Sequence, residues 1–431
     1  MTKTEIKKVS PFRDLEGKTN IPARTMHNAM TALGLLKVEC TYDAFHDKRL
    51  VAGQVLGSEI GQVSDDTCLL IRQVCREKLQ FDPGKDNTWD AINLTCRHGS
   101  FNPILDYLDS LTWDRVTRLD TWMQVYMGAP DTPFIRAVGR MMLIASVRRI
   151  RRPGCKFDYL CVLESGQGKN KSSALATLYG LENFSDQSIL NLSDKELQEA
   201  TRGRWAMEAA DLSGIRRGDV ETIKAQLSRQ TDRARPAYGR AVIDTPRQCV
   251  FWGTTNDTTY LRDQTGNRRF LPVAVGRIDV AAIKRDRDEL WAEASIAEGL
   301  DMDIMLPEEL WEAAGVQQAA RTQSDPWIDE LANVAEHAAR CERANAKLPS
   351  PDLPIYELCN VRGNPAQVSE RIASRWLLST VLGITIDRQT PEHTHRLARV
   401  MEALGWSKRL IRFGEYVCKG YVRRRPRETW E

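Results

Sequence analysis

The stretch Phe157–Gly180, FDYLCVLESGQGKNKSSALATLYG, puts small, cationic and hydroxyl residues where a triphosphate could be held. Tyr159–Leu163 reads as an apolar strand and the residues after it as a Gly-rich loop. A helix then opens at Lys171-Ser172-Ser173 and stops near Gly180, a residue suited to a helix C-terminus. In that order, backbone N–H groups of the loop cradle phosphates, a Lys reaches the outer phosphates and a Ser hydroxyl holds Mg²⁺. The candidate ATP contacts are Gly166, Gln167, Gly168, Asn170, Lys171, Ser172 and Ser173. Two positions depart from G-x-x-x-x-G-K-[ST]: Ser165 replaces the first Gly and Asn170 the Gly before Lys171. Gly166 and Gly168 keep the loop free to bend, and Asn is the non-Gly residue that best accepts a positive φ. Taken alone, the pattern also fits a plain strand–loop–helix with a surface Lys.

Such a loop needs partners, and candidates follow in order. Arg204–Leu212 is an apolar strand ending in acids; Glu208 is placed to hold Mg²⁺ with Ser172 or to polarise water, and Asp211 is a second candidate. Residues three apart on a strand face opposite sides, so both acids serve only if the strand ends between them. Asp211 reads equally as a helix N-cap. Asn256 follows the apolar run Cys249–Trp252 and could orient the attacking water or sense the γ-phosphate; it could also be a turn residue. Arg268 and Arg269 precede a further strand. Either guanidinium could reach the γ-phosphate of a neighbouring subunit, because its planar fork stays charged and binds phosphate bidentately.

The elements that must position these residues alternate strand and helix between about 157 and 300. That alternation predicts a mostly parallel α/β sheet core over 131–300. Residues 1–130 have mainly helical spacing, including Thr25–Leu36 and Asp65–Leu79. Pro103–Met123 gives two short amphipathic segments whose aromatics read as core, and Thr132–Ile150 a long helix with a basic tail. Gln230–Thr245 has the marks of a hairpin. Residues 301–347 read as a helical extension and Leu348–Pro354 as a linker. The segment 355–431 combines helices at about Val368–Leu382 and His393–Leu404 with a hairpin, the outline of a winged-helix-like domain.

Composition excludes several classes. The chain has 431 residues, 42% hydrophobic and 28% charged, with a net charge of +3, as in an ordinary globular protein of more than one domain. Ten Cys without a CxxC pair indicate a reduced, cytoplasmic chain rather than a disulfide or zinc framework. His393 and His395 lack a Cys partner and make a poor metal set. The longest apolar run, Val138–Val147, is interrupted by Arg140 and followed by four more Arg, so no membrane span is expected.

These motifs resemble the virulence-associated protein E family, phage and mobile-element ATPases related to superfamily-three helicases. The resemblance runs through Asn102–Trp122, Pro153–Ser173, Phe184–Ile189, Arg204–Leu212, Glu221–Thr255, Tyr260–Pro272 and Asp288–Ala294 to Asp325-Pro326-Trp327. It implies an AAA+-like P-loop core, ATP and Mg²⁺ as cofactors, a homo-oligomer in the form of a hexameric ring, and a helicase or translocase acting in DNA replication of the element. It maps Lys171 and Ser172 to the P-loop, Glu208 to the acidic strand end, Asn256 to the sensor and Arg268 to the trans-acting arginine, with Arg269 a rival. In related helicases a hairpin between the acidic and sensor strands enters the ring channel. Here that segment carries Arg229, Arg233, Arg235, Tyr238 and Arg240, which would contact single-stranded DNA through phosphates and stacking; a solvated basic loop is the alternative. The second basic run, Arg148–Arg152, fits a subunit interface, DNA entry or a helix C-terminus. Many relatives carry an N-terminal primase domain. Residues 1–120 show no pair of metal-binding acids in strand context, so priming is expected of a separate partner. A nucleotide-dependent DNA scaffold or initiator, or a defence ATPase, would use the same residues without unwinding.

Overall fold

The computed structural model describes residues 11–16, 21–57, 61–187, 192–210, 212, 217–235, 241–261, 267–322, 325–334, 356–361, 364–413 and 416–426. The chain divides into two compact units, Met1–Thr322 and Gln323–Glu431.

The first unit opens with a short hairpin, β1 (Leu15–Glu16) and β2 (Ile21–Pro22), and three helices, α1 (Met26–Leu35), α2 (Asp65–Leu79) and α3 (Lys85–His98). Their starts are written locally. Thr25 Oγ1 accepts from Asn28 N–H, and Ser64 and Thr67 form a reciprocal capping box. Apolar residues at helical spacing, such as Cys68, Ile71, Val74 and Cys75, bury one face of α2. These helices pack on a sheet that the sequence pattern does not reveal: β3 (Glu39–Asp43), β4 (Lys48–Ala52), β5 (Gly61–Gln62) and β6 (Ser100–Phe101), in the order β5-β4-β3-β6. Two of these strands are two residues long, too short for alternation to register. Burial pushes the Cys40 thiol up to about 12, so it is an inert packing group.

The core of the unit is a five-stranded, all-parallel sheet of β7 (Leu160–Glu164), β8 (Phe184–Ser185), β9 (Ala206–Ala209), β12 (Val250–Thr255) and β13 (Phe270–Ala274), ordered β13-β7-β12-β9-β8. The α/β core of mostly parallel strands is therefore present. Side chains on β7, β9 and β12 are buried throughout, which explains their near-continuous apolar runs. A hairpin of β10 (Thr231–Ala234) and β11 (Ile243–Pro246), a two-stranded sheet of its own, is inserted before β12. Gly253 lies in the middle of β12 because a Cβ there would come within 2.8 Å of Leu212 and 3.1 Å of Val162.

Helices α4 (Pro103–Ser110), α5 (Trp122–Met127), α6 (Pro133–Arg151), α7 (Lys171–Tyr179), α8 (Asp194–Thr201), α9 (Arg217–Leu227), α10 (Val280–Gly299) and α11 (Trp311–Ala320) complete the unit. Under the sheet, Trp205 stacks on Trp291 at 4.3 Å, and Tyr179 meets both rings edge-on. The polar atoms of this cluster are satisfied: Trp252 Nε1 donates to Tyr179 Oη (3.0 Å), Tyr179 Oη pairs with Ser146 Oγ (2.8 Å) and Trp291 Nε1 donates to the Leu178 carbonyl (2.9 Å). The cluster clamps the C-terminal end of α7 between α6, α10 and the sheet. Trp122 is likewise fully buried, as core packing predicts.

The basic tail of α6 proves to be an internal ion network. Glu298 of α10 is 2% exposed and takes Arg148 Nε (3.3 Å), Arg151 Nη1 (3.1 Å) and Arg152 Nη2 (3.6 Å). Arg149 is buried and donates to the Phe157 carbonyl at 2.8 Å; burial lowers its pKa. Arg148–Arg152 thus holds α6 to α10, the helix-end role among the readings of this run.

The second unit holds α12 (Trp327–Ala332), the strands β14 (Tyr356–Val361), β15 (Asn364–Ala373), β16 (Ser407–Phe413) and β17 (Tyr416–Pro426), and a helix over Pro391–Ala403. Its four-stranded antiparallel sheet runs β14-β15-β17-β16. The expected hairpin is β16–β17, and Gly405, at φ +79°, follows the expected helix. The helix expected over Val368–Leu382 is corrected: residues to Ala373 are strand and only Ser374–Val381 is helical. Val368 and Ile372 pair against β17, and this long-range pairing outweighs the local helical spacing. The sequence-based linker Leu348–Pro354 lies outside the described residues.

Candidate functional site

Parallel strands present their C-terminal ends together, and a βα loop there faces a crevice. Thr255 of β12 pairs with Glu164 of β7, and Trp252 of β12 with Glu208 of β9. Adjacent strands that end in register bring the residues just beyond them into one cluster. Lys171 Nζ donates to Asn256 Oδ1 (3.0 Å), the Ser165 carbonyl (2.9 Å), Ser165 Oγ (3.0 Å) and the Gly166 carbonyl (3.3 Å). It is 8% exposed; burial lowers its pKa, and the charge of Glu208 opposes that shift.

Glu208 is fully buried at the end of β9. Its Oε1 accepts from Ser172 Oγ (2.8 Å) and Thr254 Oγ1 (2.6 Å), whereas Oε2 has no hydrogen-bond partner among the described residues. A buried carboxylate oxygen without a donor is costly unless a cation serves it. This orphaned atom, beside a Ser hydroxyl, fits an Mg²⁺–phosphate group.

The loop between β7 and α7 has the predicted conformation. Gly168 (φ +75°) and Asn170 (φ +60°, ψ +28°) both adopt left-handed backbone, so Asn170 takes a conformation ordinarily left to Gly. Asn170 caps α7 without a side-chain hydrogen bond, leaving the first helical N–H groups of Lys171, Ser172 and Ser173 turned to the crevice. Gly168, Asn170, Lys171, Ser172, Ser173, Glu208 and Asn256 line one cleft of about 330 Å³. Gly166 and Gln167 lie on the exposed loop just before it.

The two arginines differ. Arg269 Nε meets Asp158 at 3.2 Å and is partly buried. Arg268 is exposed and has no ion pair among the described residues. Both precede β13, whose register runs from Phe270 beside Leu160 to Ala274 beside Glu164. They therefore lie at the N-terminal edge of the sheet, ~17 Å of extended strand from the chain's own phosphate loop.

Arg229, just before the hairpin, pairs with Asp194 of α8 (2.6 Å), and Arg233 with Asp244 across β10–β11 (3.5 Å), while Arg235 is exposed. Tyr238, Arg240 and Asp211 lie outside the described residues. The strand β9 does end between Glu208 and Asp211.

Four contributors, Thr254, Glu164, Tyr260 and Arg321, were missed by sequence reasoning. Thr254 supports Glu208, as above. Glu164, the last residue of β7, takes Arg321 through Nε (2.8 Å) and Nη2 (2.8 Å) and the Tyr260 hydroxyl (2.8 Å). The hydrogen bond to Glu164 raises the Arg321 pKa, and burial followed by the Glu164 charge pushes Tyr260 up. The one signal was an acid closing an apolar strand, which needs a buried partner; nothing local names a partner 157 residues away.

The fold and site define a parallel α/β core with a strand–loop–helix cleft at the C-terminal edge of its sheet. The chain belongs to the family of proteins with a virulence-associated protein E-like domain, whose model matches residues 108–323, about half of the chain. Among solved structures it is similar to the apo C-terminal region of NrS-1 (residues 305–718), at 10% identity and a TM-score of 0.43, over 91% of this chain and 98% of that one. It is also similar to Cch of SCCmec type IV, described as an active helicase, at 11% identity and a TM-score of 0.33, over 89% and 92%. No curated protein sequence matches. Among the described residues no helix is long and apolar enough to cross a membrane.

Proposed function

We propose that this chain is an ATP-driven translocase on single-stranded DNA, serving replication of a phage or mobile element as a ring of identical subunits. The observation that carries the reading is the convergence of Lys171 with Asn256, and of Ser172 with Glu208, at one sheet edge. Mg²⁺ held at Ser172 and the bare oxygen of Glu208 would draw negative charge off the transferred phosphoryl group. Lys171 and the N–H groups of α7 bind the phosphates. Glu208 positions the attacking water, and Asn256 links the outer phosphate to the end of β12 through Lys171. Arg268 of the next protomer neutralises charge in the transition state. Its exposure and its place at the opposite sheet edge support action in trans and favour it over Arg269. Single-stranded DNA runs along the β10–β11 hairpin, where Arg229, Arg233 and Arg235 offer phosphate contacts.

The test is ATP turnover with and without single-stranded DNA, beside strand displacement on a forked substrate. Wild-type protein hydrolyses ATP faster with DNA and separates the fork; Lys171→Ala does neither. Full turnover by Lys171→Ala would refute the site, and turnover without displacement on any fork would refute the motor.

A further inference from the structure

The C-terminal unit carries charge that this function does not use. In β15, β17 and β16, Ser369 pairs with Arg424, and Arg371 with Val422, which pairs in turn with Ser407; Gly420 pairs with Arg409. Directly paired residues share a face, so Arg371, Arg424 and Arg409 stand on one side of the sheet. With strands ~4.8 Å apart and two-residue steps of ~6.7 Å, their Cα atoms spread over roughly 8–14 Å. They line a groove of about 670 Å³ that Arg412 joins from the edge strand. No acid and no aromatic ring is among the residues lining it. Arg409, Arg412 and Arg424 are exposed and have no ion pair among the described residues. Arg423 differs: it binds the buried Glu370 at 2.8 Å and lies over Trp406 at 4.5 Å, a structural role.

We propose that this groove binds the phosphate backbone of duplex DNA. Concentrated guanidinium groups without acids complement a polyanion. Single-strand sites pair a basic groove with aromatic platforms for the bases; the lining lacks such a platform, so the ligand is one that shows only its backbone. The lining holds five arginines against three apolar side chains, Leu410, Ile411 and Val422, a balance that suits a polyanion better than the apolar core of a protein interface. The inference goes beyond the ATPase reading and does not depend on it.

The experiment uses the full chain without nucleotide and a fluorescent 20-base-pair duplex, with affinity read by anisotropy across a salt series. Each phosphate contact contributes about 0.9 to the slope of log K against log salt. Arg409→Glu with Arg424→Glu is expected to weaken duplex binding at least tenfold and to lower the slope by about 1.8. Arg409→Lys with Arg424→Lys is expected to keep the slope. Arg409→Ala with Arg424→Ala is the milder second variant should charge reversal disturb folding. An unchanged slope in folded variants overturns the proposal, as does loss confined to a single-stranded probe. Lys171→Ala run alongside separates the two claims, because it removes turnover and leaves the duplex slope as in wild type.

Discussion

Replacing Arg268 by Ala gives the most demanding test of the proposed mechanism. An arginine supplied to a transferring phosphoryl group raises turnover by 10³–10⁵. At 1.36 kcal/mol per factor of ten, that is about 4–7 kcal/mol of transition-state stabilisation. Arg268 is exposed and without an ion pair among the described residues, so its removal should leave unfolding free energy within about 0.5 kcal/mol of wild type. Arg269→Ala should behave in the opposite way. It breaks the 3.2 Å pair with Asp158, costs about 1 kcal/mol of stability and spares most turnover. The decisive assay mixes two inactive proteins. Arg268→Ala keeps its phosphate loop and donates no guanidinium; Lys171→Ala donates the guanidinium and has no working loop. Where Lys171→Ala is the donor and Arg268→Ala the acceptor, one interface is whole. Random assortment in a closed ring makes about a quarter of interfaces whole, and the mixture should regain about a quarter of the wild-type rate. A mixture no more active than its parents, at concentrations where rings form, would refute action in trans.

Glu208→Gln should abolish turnover and retain nucleotide binding. Glu298→Ala leaves Arg148, Arg151 and Arg152 facing one another with no buried acid. Urea unfolding should show a loss of about 3–5 kcal/mol, whereas Arg152→Ala, on the exposed side, should cost under about 1 kcal/mol. Hydrogen bonds from Arg72, then Arg76 and the Gly84 N–H, hold Asp82 well below the usual carboxylate range against a smaller burial effect. A depressed carboxylate stabilises above its unfolded pKa of about 4 and loses that contribution as pH falls through the folded value. Asp82→Asn should therefore cost about 1–2 kcal/mol at pH 7, and the gap should close progressively below about pH 4.

Much of the sheet core was legible because its signals are local. Runs such as LCVL and CVFW can only be buried strands beside turn residues, and Lys171-Ser172 after a Gly-bearing loop states its chemistry in a few residues. The small N-terminal sheet was not legible, because β5 and β6 are only two residues long and β6 pairs with a strand far back in the chain, Tyr42 beside Ser100. Val368–Ala373 was misread as helix because β17 pairing, not local spacing, decides its state. In the site, Lys171, Ser172, Glu208 and Asn256 could be ordered from sequence, whereas Thr254, Tyr260 and Arg321 could not. Their roles exist only once Glu208 and Glu164 are buried and need donors.

Those hidden residues explain how a loop of small side chains keeps a defined shape. The helix after the loop is fixed at its far end, where the Tyr179 hydroxyl is tied to Ser146 and Trp252. The strand before the loop is fixed at its last residue, where Glu164 is clamped by Arg321 and Tyr260. Between these anchors only residues 165–170 remain, and two of them hold left-handed backbone. Compliance is thereby left to residues 165–170, while Glu208 and Thr255 stay on rigid strands. In the proposed mechanism a movement of Lys171 on nucleotide binding would reach Asn256 through their 3.0 Å hydrogen bond, and β12 follows the β10–β11 hairpin directly in the chain. On that reading, rigid strands flanking one compliant loop would turn a change at the nucleotide into a displacement of the hairpin.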